Sequence, residues 1–107
     1  MNNFAEQQES NPQNHHYTFT LFVIKSGANS ERAKENLENH CDKWLQGRYD
    51  IKVVDVVEDF QTALKHNILL TPSVLVTGSG LKKVIHGDLS DSRKFAEALN
   101  LYNEKDE

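Results

Sequence analysis

Apolar residues along the chain follow two spacings, one typical of strands and the other of helices. The run from Tyr17 to Ile24 is mostly aromatic and β-branched, which predicts a strand that is buried on both faces toward its end. Residues 26–30 then supply turn residues and two candidate N-caps. The next apolar positions recur every three or four residues, which predicts a helix with one buried stripe. They are Ala33, Leu37, Cys41, Trp44 and Leu45.

A second strand is predicted from Ile51 to Val57, because five of these seven residues are β-branched and apolar. The pattern is typical of a buried strand. A strand, a helix and a strand of these lengths indicate a parallel right-handed crossover. Asp59 is suited to cap a short helix that carries Phe60, Ala63 and Leu64.

The last part of the chain predicts a hairpin followed by a helix. Strands over residues 73–77 and 82–86 are separated by Gly78-Ser79-Gly80, a turn flexible enough to reverse the chain. Ser90 or Asp91 then caps a final helix with Phe95, Leu99 and Tyr102 at helical spacing.

The resulting order, β-α-β-α-β-β-α, is that of the thioredoxin-like α/β fold with a mixed four-stranded sheet. A length of 107 residues fits one such domain, expected over residues 17–103. Residues 1–16 are rich in Asn and Gln, so we expect a disordered polar tail. Residues 104–107 form an acidic end.

Charge and composition narrow the classes of partner. A net charge of −4 argues against nucleic acid, which normally needs a basic face. The chain contains no apolar run long enough to span a bilayer and no secretion-signal pattern, so we expect no membrane partner and a cytoplasmic location. A single cysteine, Cys41, excludes an internal disulfide and fits a reducing compartment.

The positions that carry chemistry in thioredoxin-like proteins are changed or absent here. The turn that bears Cys-x-x-Cys in redox members reads Ser26-Gly27-Ala28-Asn29, which excludes disulfide exchange at that place. Cys41 lies on the apolar stripe and is interpreted as a core residue, with a redox-sensing thiol as the alternative. Thr71-Pro72 precedes the third strand, where this fold places a cis-proline, and we expect a cis bond.

Acidic and histidine side chains show no catalytic or metal-binding spacing. Asp55 is the one carboxylate inside an apolar run and is interpreted as an edge or strand-end residue. Neither the adjacent pair His15 and His16 nor the scattered histidines form a ligand set, so no metal and no cofactor is expected. The scattered histidines are His40, His66 and His86.

Three motifs in this order resemble the KaiB family of circadian-clock proteins. They are Ile51-Lys-Val-Val-Asp-Val-Val57, Ile68-Leu-Leu-Thr-Pro72 and Val84-Ile-His-Gly-Asp-Leu-Ser-Asp91. The resemblance covers about Tyr17 to Leu101. It implies a non-catalytic regulator that binds the hexameric ATPase KaiC and, in complete clocks, competes with the kinase SasA and sequesters KaiA.

The resemblance also implies a second packing, because KaiB switches between a tetrameric ground state and a thioredoxin-like monomer. In the ground state, residues 74–76 and 84–85 would be helical and residues 95–99 extended. The β-branched residues of the first two segments favour the thioredoxin-like state. The hinge would be Gly87, Asp88, Leu89, Ser90 and Asp91, with an ordinary helix cap as the alternative. A monomer, a dimer and a tetramer all remain open.

The sequence also departs from the family pattern. Glu58-Asp59-Phe60-Gln61 stands where the family commonly has Lys-Asn-Pro-Gln, and the family's proline-rich stretch is replaced by Thr77-Gly78-Ser79-Gly80. We expect partner contacts around Lys52, Glu58 and Lys65, in either clock or stress signalling. The alternatives are a docking module for a SasA-like histidine kinase and a redox sensor that acts through Cys41.

Overall fold

The predicted order of strands and helices is confirmed. The computed structural model describes residues 16–25 and 27–101, so Ser26, Tyr102, most of the predicted tail and the acidic end lie outside the described residues. The elements are β1 Tyr17–Val23, α1 Ala28–Trp44, β2 Tyr49–Asp55, α2 Phe60–Lys65, β3 Ser73–Gly78, β4 Leu81–His86 and α3 Ser92–Ala98.

The four strands form one mixed sheet in the order β2-β1-β3-β4. β1 pairs with β2 in parallel, with Phe19 opposite Ile51, and with β3 antiparallel, with Phe19 opposite Val76. β3 and β4 also pair antiparallel. The predicted parallel crossover and the hairpin are therefore both present.

One expectation about β2 was wrong. The β-branched run predicted a buried strand, but β2 lies at the edge of the sheet with β1 as its one neighbour. Val53 is 42% exposed, and Ile51 and Val54 are only half-buried. The reason is that β-branched residues favour any pleated, partly covered surface, so their abundance does not report how many strands lie alongside.

The larger core lies between the sheet and the pair α1 and α3. Phe19, Leu21 and Val76 of the sheet have no exposed surface, and they belong to one cluster with Leu37 of α1 and Phe95 of α3. The rings of Phe19 and Phe95 stack with centroids 5.6 Å apart. Burial of each such side chain contributes about 1.5–3 kcal/mol, so this face carries most of the apolar stabilisation.

The opposite face of the sheet carries a smaller cluster. Phe22 of β1 and Leu75 of β3 pack there with Ala63 of α2 and Ile68 from the loop after it. α2 has only six residues. A helix of this length covers little of the sheet, and this limits how many apolar side chains of the segment become buried.

The helix ends differ in part from the expectation. α1 begins at Ala28 after Gly27, which provides no side-chain cap, and Asn29 and Ser30 lie inside the helix. Asp59 caps α2, as predicted, by accepting from the Thr62 amide. Asp91 caps α3 by accepting from the Arg93 amide. α3 ends at Ala98, earlier than the apolar spacing predicted.

The region from β3 to α3 has the thioredoxin-like packing and not the alternative one. Residues 74–76 and 84–85 are extended, and Phe95 lies in α3. Ser79 and Gly80 join the two strands with φ of 54° and 80°. Positive φ at both central residues is typical of a type I′ turn, which matches the twist of a hairpin.

Within residues 16–25 and 27–101, no helix combines the length and the apolar character that crossing a bilayer requires.

Candidate functional site

Among the residues that the structure describes, the most exposed large apolar side chains are concentrated in one segment, residues 57–70, which spans α2 and the loop on either side of it. Large apolar side chains are often buried, and a group of them in contact with solvent is typical of an interaction site. We name this set the 57–70 apolar surface. Its members and exposed fractions are Val57 69%, Phe60 56%, Leu64 58%, Leu69 83% and Leu70 60%.

The local sequence explains why these side chains point outward. Asp59 accepts hydrogen bonds from the amide of Thr62 (3.3 Å) and its hydroxyl (2.9 Å), which starts α2 at Phe60. Ala63 is the residue of α2 that is buried against the sheet. Phe60 and Leu64 are four residues apart and therefore share another side of the helix. A helix of six residues that packs on one sheet buries one side only. Phe60 and Leu64 lie on another side and therefore remain exposed.

The predicted partner-binding residues lie on β2 and in this segment. Glu58 follows Val57 in the turn after β2, and Lys65 is the last residue of α2. Lys52 lies on β2, opposite Thr20 of β1. All three side chains are exposed. The structure thus places Glu58 and Lys65 in the same segment as the 57–70 apolar surface, and Lys52 on the strand that leads into it.

The turn that bears the cysteine pair in redox thioredoxins borders a small open pocket of ≈ 190 Å³, lined by Val23, Ile24, Gly27, Ala28, Asn29, Ser30, Thr71 and Pro72. The Thr71–Pro72 bond is cis, the conformation expected from the sequence. The Ser30 hydroxyl donates to the Gly27 carbonyl (3.0 Å). None of these described lining residues carries a thiol or an ionisable side chain, so they supply shape, backbone groups and the polar side chains of Asn29, Ser30 and Thr71.

Cys41 is buried in the core. It has no exposed surface and belongs to the core beside Leu37. Burial raises the pKa of its thiol to about 12, and the nearby carboxylates of Asp42 and Glu38 act in the same direction. A thiol must lose its proton to act as a nucleophile, so this environment suppresses reactivity at neutral pH.

The predicted hinge, Gly87–Asp91, is held against α1 through its main chain. Asn36 Nδ2 donates to the carbonyl of Asp88 (2.8 Å), and His40 Nε2 donates to the carbonyl of Leu89 (2.6 Å). Leu89 is buried, and its φ is 64°, a backbone conformation that residues other than glycine rarely adopt. The contacts from α1 and the burial of Leu89 keep the loop in this conformation.

The same loop also serves as a helix cap, which was the alternative interpretation. Asp91 Oδ1 accepts from the Arg93 amide (3.0 Å). Asp88 Oδ1 accepts from the Ser90 amide (3.0 Å), and hydrogen bonds from Ser90 lower the pKa of the Asp88 carboxyl. The cap is therefore present, and a hinge would act by releasing it.

The histidines that the structure describes make separate contacts and form no ligand set. His16 pairs with Asp50 (2.9 Å), and His86 Nδ1 hydrogen-bonds with the Ser73 hydroxyl (2.9 Å). His66 lies beside the ring of Phe22. Across the part of the chain that the structure describes, no three His, Cys, Asp or Glu side chains are grouped as a metal site would require. His15 lies outside that part.

Sequence reasoning missed the 57–70 apolar surface. The apolar spacing places Phe60 and Leu64 in a short helix and Leu69 in the segment that follows, but it does not indicate what covers them. The available signal was the number of large apolar residues in a segment whose helix has fewer than two turns. Such a helix cannot bury all of them on one sheet face.

Comparison with known sequences finds one family. A model of the KaiB domain matches residues 20–101. The circadian clock oscillator protein KaiB of Microcystis aeruginosa is 38% identical over 90 residues, which are 83% of this chain and 86% of that protein. The circadian clock oscillator protein KaiB1 of Synechocystis sp. is 37% identical over 86 residues, 79% of this chain and 81% of that protein.

Comparison with solved structures finds the fold at lower identity. The N-terminal domain of Synechococcus elongatus SasA matches with a TM-score of 0.67 and 19% identity, covering 83% of this chain and 88% of that one. Fasciola hepatica thioredoxin matches with a TM-score of 0.63 and 13% identity, covering 90% and 88%. At these identities the likeness shows the thioredoxin-like fold alone, which confirms the predicted fold class.

Proposed function

The chain belongs to the KaiB family, and from this membership we propose that it is a non-catalytic regulatory protein that binds a KaiC-type ATPase. The observation that carries the proposal is the 57–70 apolar surface. A partner that covers exposed side chains such as Phe60 and Leu69 removes their apolar surface from water, and this favours binding. The proposal includes a cytoplasmic location, which the single cysteine suits.

The charged residues of the proposed interface are Lys52, Glu58 and Lys65. All three are exposed, and none has an ion-pair partner among the residues described. Charged groups at the rim of an apolar interface contribute mainly to association rate and partner choice. Glu58 stands where the family pattern commonly has a lysine, so we propose that the ATPase partner of this chain presents a cation at that place.

The Gly87–Asp91 loop is proposed as the hinge of a second packing in the same family. Its conformation depends on hydrogen bonds from Asn36 and His40 rather than on a continuous helix or strand. Hydrogen bonds of this kind contribute about 1 kcal/mol each to stability. Two packings of one chain can differ in free energy by only a few kcal/mol, so a few such bonds are comparable to that difference.

The two alternative functions receive less support. A redox sensor would need a reactive thiol, and Cys41 has no exposed surface and a raised pKa. A kinase docking module shares the fold of the SasA domain, but the sequence is far more similar to KaiB proteins than to that domain.

The test is a binding assay with a purified KaiC-type ATPase from the same genome, in the presence of ATP. We expect a complex at micromolar concentration or below. Phe60→Ser and Leu69→Ser should each weaken it by about tenfold or more, since exposed apolar anchors dominate interface energies. Lys25→Ser, at an exposed position outside the segment, is the control and should leave binding unchanged.

Two outcomes would contradict the proposal at different levels. The absence of any complex with the unaltered protein would reject the ATPase as partner. A complex that survives Phe60→Ser and Leu69→Ser would reject the 57–70 apolar surface as its site.

A further inference from the structure

β4 forms the edge of the sheet opposite β2. In the part of the chain that the structure describes, β4 pairs only with β3, from Gly78 opposite Leu81 to Ser73 opposite His86. An edge strand of an antiparallel pair presents backbone N–H and C=O groups outward at alternate residues. These groups can pair with an added strand.

The chemistry of this edge differs from that of the whole chain. The chain has a net charge of −4, yet β4 contains no acidic residue and exposes Lys82, Lys83 and His86. A groove of ≈ 410 Å³ runs between β4 and α3, and its lining includes Lys83, Lys94 and Glu97. Lys94 also lines the adjoining concavity at the Gly87–Asp91 loop.

The lysines of this edge are available for a partner. None of the side chains of Lys82, Lys83 and Lys94 makes an ion pair or hydrogen bond among the residues described. Val84, between Lys83 and the core residue Ile85, is 37% exposed. The edge therefore offers unpaired cations next to apolar surface, together with free backbone groups.

We propose that β4 and the groove beside it bind an acidic, extended segment of another protein, which adds to the sheet as a fifth strand. Strand addition of this kind takes affinity from main-chain hydrogen bonds and specificity from alternate side chains. The acidic character of the segment follows from the unpaired lysines.

The pattern of β4 also defines the sequence that would fit. Consecutive strand residues point to opposite faces, and the core assigns those faces: Ile85 belongs to the cluster with α1 and α3, and Val84 lies opposite Leu75 of the other cluster. Lys82 shares the face of Val84, and Lys83 that of Ile85. The added strand that fits best therefore has two adjacent acidic residues opposite the lysines and two adjacent apolar residues opposite Val84 and Ile85.

This surface is separate from the one proposed for the ATPase. β4 lies at the far edge from β2, and the 57–70 segment contributes no residue to the groove. The two proposals therefore fail independently, because the binding assay for the ATPase uses variants at Phe60 and Leu69 and the test below uses neither.

The test uses two synthetic peptides, one with Val-Val-Glu-Glu and the other with Glu-Glu-Val-Val at its centre, which cover both strand directions. Amide NMR of the full chain should show shifts in β4 and α3 on addition of at least one of them, and binding should weaken with added salt. Matching peptides with Gln in place of Glu should bind roughly tenfold more weakly, since they lack the charge.

Two double variants separate site-specific binding from general attraction. K82E with K83E should lower affinity for the acidic peptide by about tenfold or more. K25E with K34E makes the same change in net charge at exposed positions outside β4. This control should lower the affinity for the acidic peptide by less than about threefold, because distant exposed charges are screened. Unchanged circular dichroism should show that both variants are folded.

Several results would overturn the proposal. These are shifts confined to β2, equal loss of affinity in both double variants, and equal binding of the Gln peptides. Lysines on an edge strand also discourage pairing between copies. In one further outcome, the K82E with K83E variant self-associates, as measured by sedimentation, while the unaltered protein binds neither peptide. The lysines would then serve only to prevent pairing between copies of this chain.

Discussion

Cys41 shows how the surroundings of one residue suppress the reactivity of its side chain. It lies on the stripe of α1 with Ala33 and Leu37, and all three have no exposed surface. In that position the side chain contributes to core packing as a small apolar group. The raised pKa of its thiol, to about 12, follows from burial before any effect of nearby charge.

We predict that Cys41 is labelled far more slowly in the native protein than in the unfolded chain. The pKa is about 12 in the folded state against an ordinary 9.0, so at pH 8 the thiolate fraction is lower by roughly a thousandfold. Iodoacetamide labelling, with and without denaturant and followed by mass spectrometry, measures the ratio. Labelling of the native protein at the unfolded rate would contradict the buried position.

The same pKa has a consequence for stability with a defined sign. Below pH 9 the thiol is protonated in both the folded and the unfolded state, and its contribution to the unfolding free energy is complete. Between about pH 9 and pH 12 the unfolded thiol ionises first, so the contribution is lost as the pH rises. The difference in unfolding free energy between the unaltered protein and Cys41→Ala should therefore shrink over that range.

At the scale of elements, the hairpin of β3 and β4 depends on backbone conformations that few residues adopt. Gly78 has φ of 134°, and a Cβ there would lie 2.4 Å from the carbonyl oxygen of His16. Gly80 has φ of 80°, but a Cβ there would meet nothing within 4 Å. The two glycines therefore serve different needs: Gly78 permits a close approach of two backbones, and Gly80 permits a tight turn.

We predict unequal costs for alanine at these two positions. Gly80→Ala should lower the unfolding free energy by about 1 kcal/mol, the strain of a left-handed conformation. Gly78→Ala adds a clash with the backbone at His16 and should cost about 3 kcal/mol or more. Urea denaturation measures both. Gly80→Asn is the control and should cost less than Gly80→Ala, since Asn tolerates positive φ; equal costs for the two alanine variants would contradict the clash.

At the scale of the whole molecule, the two halves of the chain depend on each other through the sheet. β3 lies between β1 and β4, and Phe95 of α3 stacks on Phe19 of β1. Asn36 and His40 of α1 hold the loop that leads into α3. A second packing of the region after Pro72 would have to break all of these contacts together, so any switch between packings should be cooperative.

We predict that the thioredoxin-like packing predominates in solution. Amide NMR secondary shifts should be strand-like over residues 74–76 and 84–85 and helical over residues 95–98, because β-branched side chains dominate the first two segments. Size-exclusion chromatography on the same sample reports the oligomer. A tetramer with helical shifts at residues 84–85 would contradict the prediction and indicate the other packing.

Local features of the sequence were sufficient for the kind and order of the elements. β-branched runs predicted β1 and β2, the three- and four-residue spacing of Ala33, Leu37 and Cys41 predicted α1, and a side chain with the right acceptor marked the start of α2. These signals act over a few residues, where backbone sterics and hydrogen bonding decide the outcome. The cis bond before Pro72 was expected from its place in that order.

What the sequence determined by itself, therefore, is the periodicity of each segment and so its helix or strand. It also determined the caps of α2 and α3 and the absence of a thiol pair at the turn before α1. The tertiary structure alone decided the strand order β2-β1-β3-β4, and with it that β2 and β4 are edges and that the 57–70 apolar surface stays uncovered. Burial depends on which distant residues meet, as Phe22 and Leu75 do across the sheet, and the local spacing of apolar residues carries no information about such pairs.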